Sequence, residues 1–342
     1  MQKPYPKNLP AVASFQKQAS EFSEQALKFL FGLSAKFGRS GEVAQNNYQL
    51  GIKHLAAGNF SDAVFRFKAV TWLEPSNAEA WYNLATSYLA DRKPSLAVQA
   101  YRKTLALKPD YEEAAYMLAV ALGKKVTPQE MPRKMPLTLV TSHFEGLAED
   151  YNRQQVEQGQ YKGHIKLGEA ARSVLQSGRM DHVVLDLGCG TGLCGAELRH
   201  VASAITGVDI SPKMLIEAMK LKDTNNRKIF DELIQREAEG FLKDAYADYY
   251  DVILAGVTFS FIGDVSAIFT QALRTLKTGG ILAFTADKTD GKDYVFDPAG
   301  GRFRFSKDYF QKLAAECGFK ELRFDEIEAY PGYNMWLVIL RK

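Results

Sequence analysis

The stretch Val183-Val-Leu-Asp-Leu-Gly-Cys-Gly-Thr-Gly-Leu-Cys-Gly195 decides how this chain folds. An apolar β run ends at Asp186-Leu187, a glycine-rich turn follows, and Leu193 to about Val201 reads as a helix. Glycine is needed at 188, 190 and 192 for two reasons. The turn requires unusual backbone angles, and a ligand must approach the main chain without Cβ atoms in the way. A strand, a glycine turn and a helix in this order open an α/β unit with a parallel sheet.

Two cofactor classes compete for such a turn. Gly190-x-Gly192-x-x-Gly195 matches the dinucleotide fingerprint, and Asp209 stands about 20 residues on, where that fingerprint has its acid, so the spacing admits NAD. The string Asp186-x-Gly188-x-Gly190-x-Gly192 is more specific than that fingerprint. Downstream, Ala204-Ile-Thr-Gly-Val-Asp209 reads as a second strand ending in an acid. Ser211 after it is a good helix cap and Pro212 a good first helical residue. Leu233-Ile-Gln-Arg-Glu237-Ala238-Glu239 reads as a third strand running into an acid-Ala-acid turn, and Tyr250-Asp-Val-Ile-Leu-Ala255 as a fourth. Leu276-Lys-Thr-Gly-Gly280 leads into the apolar Ile281-Leu-Ala-Phe-Thr285, and Trp336-Leu-Val-Ile-Leu-Arg341 is a terminal strand.

In this order, from Val183 to Arg341, these segments resemble the class I S-adenosylmethionine-dependent methyltransferases. The phrase VLDLGCGTG looks like that family's first motif, and LKTGG its helix-to-strand turn, with Thr278 replacing proline. The resemblance implies a Rossmann-like seven-stranded α/β sheet with an antiparallel last strand. It also implies S-adenosylmethionine as cofactor, held at Asp186, Gly188, Cys189, Gly190 and Gly192. Asp209 would accept the ribose hydroxyls, Ile210 and Met214 would flank the adenine, and Glu237 beside Ala238 would receive its amino group. Ala255, at the end of the fourth strand, would touch the cofactor, and the residues after it would border the reacting methyl. Asp186 has an alternative role, bonding turn amides. Cys189 and Cys194 read as small fillers rather than nucleophiles, because nothing basic nearby would depress a thiol pKa.

Upstream, Ser142-His-Phe-Glu-Gly-Leu-Ala-Glu-Asp-Tyr151 through Tyr161-Lys-Gly-His164 resembles the lid helices of bacterial methyltransferases that also carry tetratricopeptide repeats. This makes Tyr151, Tyr161 and His164 candidate pocket residues. No catalytic residue announces itself, since transfer from a sulfonium can be driven by positioning alone, with a base required only when the acceptor must lose a proton. Ala255-Gly-Val-Thr-Phe-Ser-Phe261 lacks the Asn/Asp-Pro-Pro-aromatic motif of nucleobase amino methyltransferases, and no Pro-Cys pair occurs, so DNA is not the expected acceptor. Phe259, Phe261 and Phe296 are candidates for an acceptor pocket, with core packing as the alternative.

The first half repeats itself. Leu50, Gly51, Ala63, Phe67 and Pro75 recur, each shifted by the same interval, as Leu84, Ala85, Ala97, Tyr101 and Pro109. That interval is the period of a tetratricopeptide repeat. Trp81 and Tyr88 occupy expected positions in the second copy, where the first has Asn47 and His54. A third copy begins at Ala115, Leu118 and Ala119 and breaks off near Gly123 as a capping helix. Small residues at 63, 85, 97 and 119 let paired helices approach, while Phe67, Trp81 and Tyr101 fill the gaps between layers. Residues 15–37 carry an apolar stripe with lysines off it. They read as a cap on the stack or, alternatively, a basic amphipathic helix touching a membrane surface.

The expected organisation is therefore an amphipathic helix region at 1–41, repeats at 42–125, a proline-rich linker at 126–140, and a methyltransferase domain at 141–342 whose lid helices occupy 141–180. The repeats would recruit a protein or peptide acceptor; alternatively they serve self-association and the acceptor is a small molecule, or the chain is a cofactor-binding scaffold. Lys+Arg of 43 against Asp+Glu of 40 gives +3, too weak to argue for nucleic acid. Three cysteines suit free thiols in a reducing, cytoplasmic compartment, and no histidine cluster provides a metal site. Neither a transmembrane run nor a signal peptide is expected.

Overall fold

The computed structural model describes residues 40–176 and 178–342. The helix expected over 15–37 lies outside them. The described chain separates into two compact units, dividing between Pro132 and Arg133.

The first unit is a run of helices: α1 (Ser40–Ala56), α2 (Phe60–Leu73), α3 (Ala78–Ala90), α4 (Pro94–Leu107) and α5 (Glu112–Leu122). Their spacing follows the period of the repeat, and the turns follow local chemistry. Glu74 and Lys108 precede prolines and leave the helical region (φ −128° and −138°), because proline's ring crowds a helical residue before it. Asn77 caps α3, its side chain accepting from the Ala80 amide at 2.9 Å. Ala63, Ala85, Ala97 and Ala119 are fully buried, as are Phe67 and Tyr101. Gly51 is small because Phe67 lies on it: a Cβ there would stand 2.8 Å from the ring. Asn47, the polar departure from the repeat, is buried and accepts from Arg66 at 3.1 Å. Trp81 fills less than its position promised. It is partly exposed, and its indole N–H donates to the Pro75 carbonyl.

The strands of the second unit's main sheet are β1 (His182–Leu187), β2 (Ala202–Asp209), β3 (Glu232–Gln235), β4 (Tyr250–Gly256), β5 (Leu276–Asp287), β8 (Lys320–Tyr330) and β9 (Tyr333–Arg341). They lie in the order β3-β2-β1-β4-β5-β9-β8. The first five run parallel, and β9 is antiparallel to both β5 and β8, as the sequence led one to expect. Helices α7 (Gly163–Val174), α8 (Leu193–Leu198), α9 (Pro212–Lys220), α10 (Ala238–Asp244), α11 (Ser266–Thr275) and α12 (Lys307–Cys317) accompany the sheet. Between β5 and α12 a hairpin is inserted, made of β6 (Tyr294–Asp297) and β7 (Arg302–Phe305).

Strand alternation sorts the core. Val184, Val252, Leu254, Ile281 and Ala283 pack in one cluster with Leu167 and Ala171 of α7. On alternate positions, Phe284 joins Phe259, Phe269 and Phe310 in an aromatic cluster with ring centroids 4.8–6.1 Å apart. The strand order reverses at β1, which has β2 on one side and β4 on the other. A crevice opens there beyond the carboxyl ends of the strands.

Before the sheet come α6 (Leu137–Glu145), a wide π-type turn at Arg153–Gln158, and α7, over the segment expected to form a lid. Residues 133–135, inside the segment read as a linker, run beside 261–264. Met135 donates its amide to Phe261 O (2.9 Å), and Gly263 donates to Arg133 O (2.7 Å).

Candidate active site

The glycine turn sits at the end of β1, and its glycines differ in purpose. Gly190 has φ +53°, and a Cβ there would meet nothing within 4 Å, so its face is open to the crevice. Gly188 has φ +70°, and a Cβ there would strike the Thr258 side chain at 2.5 Å. Thr258 fits this close because its hydroxyl donates to Leu187 O at 2.8 Å. At Gly192 the neighbour is the Phe230 ring, 2.6 Å from where a Cβ would stand.

Asp209 ends β2 and faces this turn. One carboxylate oxygen accepts from the Gly190 amide and the other from the Ser211 amide, both at 2.8 Å. Burial pushes its carboxyl up, while those amide bonds hold it down. Ser211 caps α9, accepting from Met214 N, and Pro212 is the first helical residue, as their order in the sequence foretold. Glu237 caps α10 through the Glu239 and Gly240 amides (3.2 and 2.8 Å). Each carboxylate oxygen has more than one acceptor site, so both acids retain capacity for a ligand.

These groups line a cavity of about 400 Å³. It gathers Tyr151, Tyr161, His164, Gly188, Cys189, Gly190, Asp209, Ile210, Met214, Glu237 and Ala238 from the expected set. Three expected residues are not on it. Asp186 turns its carboxylate into the protein, where an oxygen accepts from Gly195 N at 2.7 Å; burial pushes its pKa up to about 7. Gly192 serves packing against Phe230. Ala255 pairs beside Phe284, which puts its side chain on the aromatic face, and the next residues, Gly256 and Val257, line the cavity instead. Of the three phenylalanines, Phe261 lines the cavity, Phe259 is core, and Phe296 packs on Phe303 at 5.3 Å. Burial raises the thiols of Cys189 and Cys194, which keeps them protonated.

The segment before α7 is tied to the glycine turn and to β8. Thr191 donates to the Asn152 side chain at 2.6 Å, and Tyr330 of β8 donates to the Gln155 side chain at 2.9 Å. His164 is buried, its Nδ1 has no partner among the described residues, and burial lowers its proton affinity. Beside Phe261 the same cavity forms a chamber that sequence reasoning missed. Its wall includes Met135, Leu137, Val140, His143, Phe144 and Arg302. Phe144 meets Phe261 edge-on at 5.1 Å, and the Arg302 guanidinium lies over the Phe261 ring at 5.2 Å. The signal available was slight: His143 and Arg302 are single polar side chains beside aromatic and apolar neighbours.

Residues 185–284 match the family described as methyltransferase domain. Residues 48–112 and 82–123 match the tetratricopeptide repeat. Among curated proteins, the chain is similar to a ubiquinone biosynthesis O-methyltransferase of Nitrosomonas europaea, 25% identical over 131 residues, covering 37% of this chain and 52% of that one. It is 33% identical over 151 residues to a malonyl-[acyl-carrier protein] O-methyltransferase of Acetivibrio thermocellus, covering 44% of this chain and 45% of that one. The chain spans about half the length, or less, of these curated relatives. Among solved structures it is similar to a 1,6-didemethyltoxoflavin-N1-methyltransferase of Burkholderia thailandensis, with TM-score 0.47 and 16% identity over 62% of this chain and 92% of that one.

Proposed function

We propose, for a chain that carries tetratricopeptide repeats ahead of a methyltransferase domain, that it transfers a methyl group from S-adenosylmethionine to an acceptor held in the chamber beside Phe261. The observation that carries this reading is the open space at Gly190, bounded by the carboxylate of Asp209 in a crevice that also exposes Glu237. Asp209 would take the ribose diol, as a carboxylate does with two adjacent hydroxyls, and Glu237 beside Ala238 would take the adenine amino group. Ile210 and Met214 offer apolar contact for the base. Tyr151 and Tyr161 would close over the cofactor from the lid. Bound there, the cofactor supplies a methyl group on a sulfonium centre. The protein's part is to hold the acceptor in line and exclude water, which alone removes much of the barrier.

Two readings of the acceptor have support. The repeats favour recruitment of a protein or peptide, since stacked repeats present extended binding surfaces. The size of the cavity favours a small acceptor group, because about 400 Å³ must take a nucleoside as well. A small group carried on a recruited protein would satisfy both. The names of the curated relatives, O-methyltransferases, point to oxygen as the methylated atom.

Calorimetric titration with S-adenosylhomocysteine, with NAD as control, tests the proposal. We expect micromolar binding of the former alone, abolished in Gly190→Val because the new side chain would occupy the ligand's space. Near-normal affinity in that variant, or preference for NAD, would overturn the reading.

A further inference from the structure

The chamber wall holds a titratable side chain that the cofactor reading does not use. His143 stands on α6 with its ring against Phe144 (5.1 Å) and Phe261 (6.2 Å). No hydrogen bond within the described residues holds it, so both imidazole nitrogens are available to a ligand.

Its position follows from the short helical turn after β4. That turn starts at Thr258, fastened to Leu187 O against Gly188, and ends at Phe261. Three residues of a 3₁₀ turn span about 6 Å. His143 therefore packs at the end of that turn, against the Phe261 ring, on the wall of the same cavity as the glycine loop. The Arg302 guanidinium lies 5.2 Å from the centre of the same ring, with an N–H nitrogen 4.0 Å from the buried Asp287 carboxylate. A neutral base and a fixed cation thus share an aromatic-walled chamber.

We infer, resting on the proposed methyl transfer, that His143 is the proton acceptor for an acidic hydroxyl on a planar acceptor, and that Arg302 holds the oxygen's charge as its proton leaves. The hydroxyl proton passes to an imidazole nitrogen of His143, and the freed oxygen lone pair forms the new O–CH3 bond. Breaking the methyl–sulfur bond leaves its electron pair on sulfur as a neutral thioether, and the imidazolium returns its proton to water. The alternatives fit less well. A carboxylate is already ionised and would leave His143 idle. An amine would meet Arg302 as a like charge in its protonated form.

Charge around the imidazole agrees with this role. Burial first, and Arg302 second, lower its proton affinity, so it is neutral and able to accept at neutral pH. Arg133, Lys134, Tyr151 and Asp264 line the same cavity, and Glu145 lies two residues further along α6.

The test uses the full chain and 4-nitrophenol, whose ionised form absorbs separately from its neutral form. The dye is titrated with and without S-adenosylhomocysteine at a pH where the free dye is mostly protonated. Bound dye should be largely ionised, and His143→Phe should lower the bound phenolate-to-phenol ratio by about tenfold or more. In proton NMR, the His143 resonance should titrate below the ordinary histidine range and move upward in Arg302→Met, since removing a cation favours protonation. The NMR arm uses the unaltered histidine and decides even if His143→Phe fails to fold. Dye that does not bind, binds neutral, or ionises equally in His143→Phe would overturn the assignment. Failure of S-adenosylhomocysteine to bind the unaltered chain would instead overturn the cofactor reading.

Discussion

At Gly190 the backbone adopts a conformation that L side chains rarely take, with open cavity where a side chain would begin. At Gly192, next but one along the chain, the same residue type answers a phenylalanine ring. The sequence showed a row of glycines but could not say which faced outward, because that depends on Phe230, which lies beyond the whole of β2 and α9. The acids divide likewise. Asp209 reaches the cavity, and Asp209→Ala should weaken S-adenosylhomocysteine binding by about 1–3 kcal/mol, a charge-assisted pair of bonds being lost; an unchanged dissociation constant would remove it from the site. Asp186 is turned inward. Its pKa is raised from an ordinary carboxylate value to about 7, so folding favours its protonated form. Its effect on stability is therefore harmless in acid and increasingly unfavourable as pH rises from about 4 to 7, of order ~2–4 kcal/mol. Asp186→Asn should flatten that fall in urea denaturation measured at pH 5 and pH 8. Equal slopes for both proteins would contradict it.

Strands and helices were more legible than side-chain directions. The β1 and β4 runs are apolar on both faces, as buried parallel strands must be, and the cap Ser211 marks where α9 begins. Ala255 shows the limit. Its place at the end of β4 was readable, but alternation assigns its side chain to the Phe284 side and hands the cavity to Gly256 and Val257. The chamber was not readable for a different reason. It is assembled from α6, the turn after β4 and the start of β7, with no shared period to join them. The fastening of the segment expected to form a lid also depends on tertiary contact, between Thr191 and Asn152. Thr191→Val keeps the shape and removes the donor. Amide exchange across 148–161 should quicken, and S-adenosylhomocysteine should bind more weakly by about 1 kcal/mol. Unchanged exchange would mean that the clasp does not hold that segment.

Over the whole molecule, the two compact units each carry their own buried cluster. The repeat period announced one, and the glycine turn with the strands downstream of it announced the other. A fragment comprising residues 133–342 should therefore fold and bind S-adenosylhomocysteine with affinity within about threefold of the full chain. Loss of binding in a folded fragment would show that the repeats take part in the cofactor site.

The backbone pairing of residues 133–135 with 261–264 has a consequence for how such a protein could change over time. The chamber wall begins at Arg133, directly after Pro132. An inserted or deleted residue there would slide Met135 and Leu137 past the chamber or break the short ladder that fixes them. Variation in length at this seam would thus alter which acceptors fit while leaving His143, Arg302 and the glycine turn unchanged. New selectivity could arise from a single insertion event at the junction, without any substitution among the groups that perform the chemistry.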